Sequence, residues 1–475
     1  NMTVKLYNTY SRKLEIFQPI EKNKIRFYHC GPTVYWVQHI GNMRAMVMAD
    51  LIRRSLEYLG YQVTFVRNYT DVGHLTSDAD EGEDKMEKAA RREKLSPKEI
   101  ADKYIRIFEN DTQSLNIKEP TYKPRASQYV QKMIEMVKVL LEKKHAYITD
   151  LAIYFDVPTF GNYTGLSHQK LNLQRPNRGH GKVIDPKKRH FYDFALWFFK
   201  KGVHKNALQT WPSPWGVGFP GWHIECSVMA LHLLGKTIDI HMGGTEHIPI
   251  HHTNEIAQSE SYTGKKFVNY WLHNEHLLVD NKKMAKSEGT GITLNDVIEK
   301  GFSPLDLRYF FLQAHYRSKQ NFTWESLKAS RNARKKLINF INETQPKRQE
   351  EKTTVDNSLI GDYQKKFREI IALDFQIPQG LSLAWQIIDD KKLTNEEKLY
   401  LLFDFDRVFG LKLEEQKPER IPMIIMKLAK EREGARKKGD FEKADKIREQ
   451  IHSLGYQIED KEEGFRIKIL KEKSF

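Results

Sequence analysis

A strand-like run, Lys24–His29 (KIRFYH), is followed by His39-Ile40-Gly41-Asn42, which opens a periodic segment over 45–59 that closes at Gly60. No other feature restricts the fold as much. Strand, short connection and helix in that order put His39 and Asn42 near a helix N-terminus. Unpaired N–H groups and the positive end of the helix dipole attract phosphate there. Gly41 lets a nucleotide come close to the backbone. The imidazole and the carboxamide can add donors to phosphate oxygens. Further strand-like runs at 62–67, 237–241 and 267–271 alternate with helical stretches. That alternation predicts an α/β fold, a parallel sheet with crossover helices. Ligands of such sheets gather at the carboxyl ends of the strands.

A second short segment, Lys283-Met284-Ala285-Lys286-Ser287, lies far downstream. Its two lysines, on a loop, could neutralise a departing pyrophosphate. Either segment alone could recur by chance. Found in this order, with a long insertion between them, the pair resembles the HIGH and KMSKS signatures of class I aminoacyl-tRNA synthetases. The resemblance implies a Rossmann-type parallel-sheet nucleotide-binding domain with a connective insertion, followed by a mostly helical C-terminal region. It also implies an ATP site making aminoacyl-adenylates, with His39, Asn42, Lys283 and Lys286 as catalytic residues. Asn42 stands where the signature has a second His, and Ala285 where it has Ser.

The chain has two cysteines, Cys30 and Cys226. Cys30 ends the first strand, and Cys226 closes the segment Gly221-Trp222-His223-Ile224-Glu225-Cys226. Downstream, His251 and Glu255 are four apart and share a helix face. Two thiolates, an imidazole and a carboxylate suit Zn²⁺. Two inert buried thiols and a disulfide are the competing readings. The cysteine-poor composition and the lack of a secretory-type segment argue against a disulfide, and a cytoplasmic location is expected.

Neighbouring words match one family in several places: Cys30-Gly31-Pro32-Thr33-Val34-Tyr35, Asn68-Tyr69-Thr70-Asp71, Ser213-Pro214-Trp215-Gly216, the GWHIEC segment and His251 to Gln258. From about Leu6 to Asp460 the chain resembles the cysteinyl-tRNA synthetases. That resemblance implies one zinc per chain, held by Cys30, Cys226, His251 and Glu255, which binds the substrate thiolate. It also implies a cysteine pocket lined by Gly31, Thr70 and Trp222, and ATP contacts from His39, Gly41, Asn42, Gly243, Gly244, Glu246 and Lys286, with Mg²⁺ accompanying the ATP. Met242 and Glu246 stand where the family has Gly and Asp, so Glu246 would reach a ribose hydroxyl with a longer arm.

A metal is a physically sensible selector. Cysteine is nearly isosteric with serine, and apolar pockets discriminate one small group by only roughly ten- to two-hundred-fold. Zinc prefers soft thiolate to neutral hydroxyl and lowers the pKa of a bound thiol. Recognition of this type needs no editing domain. His223, His241, His247 and His252 crowd the same region and could orient the ligands or offset the site's negative charge.

A length of 475 residues suggests about three domains. The expected segmentation is 1–121 and 216–326 as the two halves of the catalytic domain, 122–215 as the connective insertion, 327–421 as a helical bundle and 422–475 as a small basic anticodon-binding unit. The segment 77–91 begins acidic and turns helical, and a helix is expected over 127–144. No apolar run approaches a membrane span. An excess of 77 basic over 62 acidic residues suits a polyanionic partner. In the tail, Asp440 is a helix N-cap candidate. Phe441, Ala444, Ile447, Ile451 and Leu454 fall on one helix face, and Phe465, Ile467 and Ile469 alternate as a strand does. Nine basic against five acidic residues over 427–448 predict a positive face.

The leading expectation is therefore cysteine–tRNA ligation, with L-cysteine, ATP and tRNA(Cys) as partners, by a monomer. A cysteine ligase for a small amino-sugar acceptor shares such a core but lacks the anticodon-binding end. A non-catalytic tRNA-binding relative is the third reading. Retention of both lysines, the HIGN and the four zinc ligands speaks against it.

Overall fold

The computed structural model describes residues 2–73, 75, 84–170, 185–284, 291–344, 357–415, 423–460 and 464–469. The chain forms two compact units, Asn1–Glu414 and Glu415–Phe475.

The first unit is built on a parallel four-stranded sheet, in the order Val268–Asn274, Ile238–Gly244, Lys24–His29, Gln62–Arg67. All seven residues of Ile238–Gly244 are buried, as in a parallel strand covered on both faces. Successive residues enter different cores. Phe27 and Phe65 pack with the face of helix Ile40–Tyr58 that carries Met43, Val47 and Leu51. Tyr28 and Val66 pack with Ile224 and Val228 of helix Trp222–Leu234 and Ile256 of helix His251–Thr263. Phe27 and Phe65 also meet edge to face at 4.8 Å. Removing either ring would cost about 3–5 kcal/mol.

The expected strand–connection–helix unit is present. Helix Ile40–Tyr58 begins at His39, whose Nδ1 accepts from the Asn42 amide at 3.2 Å. It ends at Leu59, and Gly60 follows with φ +98°, where a side chain would be strained. In its second turn Arg44 is fully buried. Its guanidinium donates to Gln320 Oε1 and to the carbonyls of Glu275, His315 and Ser318. Gln320 belongs to, and the other three partners flank, a small sheet of Leu277–Val279, Lys282–Lys283 and Gln320–Phe322, so one buried cation ties the first helix to that sheet.

Between the halves of the parallel sheet, a 3₁₀ turn Ala126–Tyr129 and helix Val130–Glu142 lead into an antiparallel sheet of Ala146–Ile148, Ala152–Phe155, Phe194–Phe199 and Gly218–Pro220. The helix that follows the acidic stretch spans Lys85–Glu93; residues 77–83 of that stretch lie outside the described residues. Toward the end of the unit come helices Trp324–Thr344, Asn357–Ala372, Ile377–Asp389 and Asn395–Phe409. Buried Arg308 joins regions here. It donates to Asp50 Oδ2 at 2.6 Å and to the carbonyls of Phe409 and Leu115.

The second unit packs helices Met423–Lys437 and Phe441–Ser453 with a hairpin of Tyr456–Asp460 and Phe465–Ile469. Asp440 caps its helix by accepting from the Lys443 amide. Ala429, Ile447, Ile451 and Ile458 form the core. The expected apolar face is shorter than the periodicity suggests, because Phe441 and Leu454 at its two ends are exposed. Two of the basic residues counted toward a positive face are turned to internal use: Arg432 is buried, and both it and Arg436 pair with Asp460.

Candidate functional site

A cavity of about 360 Å³ opens at the carboxyl ends of the parallel strands. Its walls come from the loop after Lys24–His29, the start of helix Ile40–Tyr58, the strand end Gly243-Gly244 and the starts of helices Trp222–Leu234 and His251–Thr263. Cys30, Gly31, His39, Asn42, Thr70, Trp222, Cys226, Gly243, Gly244, Glu246 and His251 all line it. Residues from six separate segments thus meet where doubly wound sheets bind ligands.

At one end, Cys30, His251, His252 and Glu255 each offer a ligand atom, all within 4.8 Å of one another. His252 joins this set, and Cys226, the fourth ligand expected from the sequence, lies next to it. His252 Nε2 lies 3.3 Å from Cys30 Sγ, and its Nδ1 lies 2.7 Å from His273 Nε2. Cys226 is buried beside Cys30 and His251, and both cysteines are free thiols. The Glu255 carboxylate is held from two sides, by His241 Nε2 at 2.8 Å and His251 Nε2 at 3.0 Å.

The thiols, carboxylate and imidazoles of this cluster set one another's protonation. A hydrogen bond from Cys30 brings the Cys226 thiol down to about 6, against its burial. Burial, then the neighbouring Cys226, pushes the Cys30 thiol up. Burial would discharge His251, yet Glu255 and Cys226 raise it to about 10. Burial would likewise protonate Glu255, but His241 and His251 hold it down near 2. A proton on His251 therefore sits among anionic donors. Thiolate, carboxylate and imidazole at this spacing fit Zn²⁺, whose binding displaces such protons.

Asn68 organises the pocket floor. Its Oδ1 accepts from the Gly31 amide at 2.9 Å, and its Nδ2 donates to Thr70 Oγ1 at 3.2 Å. A Cβ on Gly31 would stand 1.6 Å from the Asn68 carbonyl oxygen, so only glycine fits there. Trp222 stacks on His251 with centroids 4.2 Å apart.

At the other end, the His39 Nδ1 contact with Asn42 leaves the ring proton of a neutral imidazole on Nε2. A Cβ on Gly41 would stand 3.0 Å from His39 Nδ1, so a side chain there would crowd the imidazole. Glu246 folds back over Gly244 and lies 3.7 Å from His276 Nδ1. The backbone of Lys283 lies in the small sheet; Ala285, Lys286 and Ser287 fall outside the described residues. Sequence reasoning missed Lys85, His29 and His273. Lys85 and His29 line the cavity, and His273 orients His252. Nothing local marks them, because each is brought in by the fold.

Residues 16–332 match the family described as tRNA synthetases class I (C), catalytic domain. The cysteine–tRNA ligase of Treponema denticola is 41% identical over 97% of this chain and 98% of its own length. Cysteine–tRNA ligase 1 of Burkholderia lata is 41% identical over 98% and 97%. Among solved structures, methionyl-tRNA synthetase of Mycobacterium tuberculosis in complex with methionyl-adenylate superposes with a TM-score of 0.59. It is 13% identical, over 83% of this chain and 92% of that one, a likeness of fold alone.

Proposed function

The chain belongs to the cysteine–tRNA ligases, ATP-dependent enzymes of synthetase class I, and from that premise we propose a two-step reaction at the cavity. Cysteine and ATP form cysteinyl-adenylate, and the cysteinyl group then passes to the 3′ end of tRNA(Cys). The observation that carries this reading is one cavity lined by both the thiol–imidazole cluster and the HIGN residues.

In the first step a carboxylate oxygen bonds to the α-phosphorus of ATP as the bond to the β-phosphate oxygen breaks, releasing pyrophosphate. Such a step needs positioning and charge stabilisation more than covalent catalysis. His39 Nε2 and the Asn42 carboxamide would donate to phosphate oxygens at the helix N-terminus. Gly41, Gly243 and Gly244 admit the nucleotide, and Glu246 reaches the ribose. Lys283 and Lys286 meet the pyrophosphate charge, with Mg²⁺ accompanying the ATP.

Cys30, Cys226, His251 and Glu255 would hold Zn²⁺, with His252 and His241 fixing their orientation. When bound, the metal supplies a soft Lewis acid that prefers a thiolate to the hydroxyl of serine. Gly31, Thr70 and Trp222 would surround the rest of the amino acid.

An amino-sugar acceptor is disfavoured because the ligases named above align along nearly the whole chain, C-terminal unit included. Among the described residues no helix is long and apolar enough to cross a membrane. A monomeric, cytoplasmic enzyme accords with this reading. The test is cysteine-dependent pyrophosphate exchange, with and without tRNA, and tRNA charging as second readout. Exchange with charging supports the reading; exchange with no charging would return the amino-sugar ligase, and neither would return the binding protein.

A further inference from the structure

Resting on that reading, we propose that Lys85 binds a phosphate oxygen of a reactant from the wall of the cavity. It belongs to neither of the two signature segments. Among the described residues lining the cavity, Lys85 is the one lysine or arginine. Beside the donors of His39 and Asn42 and the imidazoles of His29, His247 and His251, the lining holds two thiols and the Glu246 carboxylate, so Lys85 adds the one lysine or arginine charge to the described wall.

Its position is built. Lys85 opens helix Lys85–Glu93, and Asp84 caps that helix by accepting from the amides of Met86 and Glu87 at 2.8 and 3.1 Å. The lysine reaches the loop joining Cys30 to His39, where its Nζ lies 5.8 Å from the centre of the Tyr35 ring. Seven residues on, Arg92 lies on the same face of the helix and sits 4.1 Å from the Trp36 ring. Arg92 also donates to the Tyr35 carbonyl at 3.4 Å. Two cations of one helix thus hold two successive rings of the loop that spans from the thiol cluster to the HIGN segment. Arg92 stays outside the cavity lining, and Lys85 is within it. The lysine is half-buried beside the half-buried Tyr35 ring, and an ammonium that rests on a ring can also meet a phosphate oxygen.

Two reactants bring phosphate to this wall: ATP, and the 3′-terminal nucleotides of the tRNA. The experiment separates them. Lys85→Met keeps the aliphatic packing on Tyr35 and removes the charge; Lys85→Arg keeps the charge. Both are assayed as the full-length, zinc-loaded enzyme. The readouts are tRNA-free pyrophosphate exchange and single-turnover transfer from preformed cysteinyl-adenylate to tRNA.

If ATP is the partner, Lys85→Met should lower kcat/KM for ATP in exchange by at least about tenfold and leave transfer unchanged, and Lys85→Arg should restore most of it. If tRNA is the partner, exchange should stay intact while the tRNA concentration needed for half-maximal transfer rises by about tenfold, with a shallower salt dependence. Either result supports the proposal. Both steps unchanged in Lys85→Met would overturn it. Equal damage by Met and Arg, with a matching loss of thermal stability, would also overturn it by making Lys85 a structural brace. A wild-type enzyme without cysteine-dependent exchange would instead defeat the adenylation reading itself.

Discussion

The amide of Ile40 donates to the carbonyl of Ile292 at 2.8 Å, and next to it His39 pairs with Thr293 in an antiparallel bridge. These bonds join the first turn of the nucleotide helix to the chain just beyond the Lys283–Ser287 segment. Within that segment, buried Met284 belongs to the same core as Met43. Arg44, one turn into the helix, grips the flanking backbone at Glu275 and Ser318. The described residues on either side of 285–290 are therefore tied to the helix that the first signature segment opens.

That anchoring gives the first prediction. Lys286→Ala should slow pyrophosphate exchange on the order of a hundredfold, because a positioned charge that meets a developing anion is worth about 3 kcal/mol. Steady-state exchange at saturating ATP and cysteine measures it. An unchanged rate would remove Lys286 from the mechanism.

The second prediction concerns which sulfurs meet the metal. Purified protein should hold about one zinc per chain, and X-ray absorption at the zinc edge should report two sulfur neighbours before cysteine is added. Cys226→Ser should lose the metal together with discrimination against serine. His252→Gln should keep two sulfurs, since His252 acts on Cys30 from the side. A single sulfur would favour the set Cys30, His251, His252 and Glu255, whose ligand atoms lie within 4.8 Å of one another.

Much of this arrangement was legible in the residues. The strands at Lys24–His29 and Gln62–Arg67 fall where the apolar runs put them, because a covered parallel strand must be apolar over its inner length. Helix Asn395–Phe409 did not stand out. Its run of Leu, Tyr, Phe and Val reads equally as a strand, although Thr394 and Glu397 form a capping box at its start. The HIGN and KMAKS segments carry their own chemistry and announce themselves. Lys85, Asn68 and His273 do not: a lysine at a helix start, an asparagine in a turn and a strand histidine acquire meaning only when crossovers bring them to the strand ends.

A third prediction follows from the Asp50–Arg308 pair, both fully buried. Burial would raise the Asp50 carboxyl, but Arg308, Arg54 and the Lys118 amide hold it at about 2. A depressed carboxylate stabilises the fold fully above its unfolded value near 4, and that stability is lost as pH falls toward 2. The shift corresponds to about 2 kcal/mol. Urea unfolding should therefore show wild type losing stability over that window. Asp50→Asn should be weaker by about 3–5 kcal/mol at neutral pH, since Arg308 is left buried without its partner. A neutral-pH stability equal to wild type would show the pair to be dispensable.

The last prediction separates the two units. Residues 415–475 form a compact unit with its own core of Ala429, Ile447, Ile451 and Ile458. Every described residue that lines the cavity belongs to the first unit. Ending the chain at Glu414 should therefore leave tRNA-independent cysteine activation nearly intact. Charging should fall sharply, through weaker tRNA binding, if the C-terminal unit holds the anticodon arm. Arg432 and Arg436 are committed to Asp460, so phosphate contacts would rest on other basic residues of this unit, among them Lys427, Lys430 and Lys438. Binding by the truncated protein should also depend less steeply on salt, because fewer phosphate contacts release fewer counterions. Charge reversal at Lys427, Lys430 and Lys438 in the full-length chain should reproduce the loss without touching pyrophosphate exchange. If truncation abolishes activation and charging alike while the triple variant does nothing, the C-terminal unit serves folding and the anticodon reading fails.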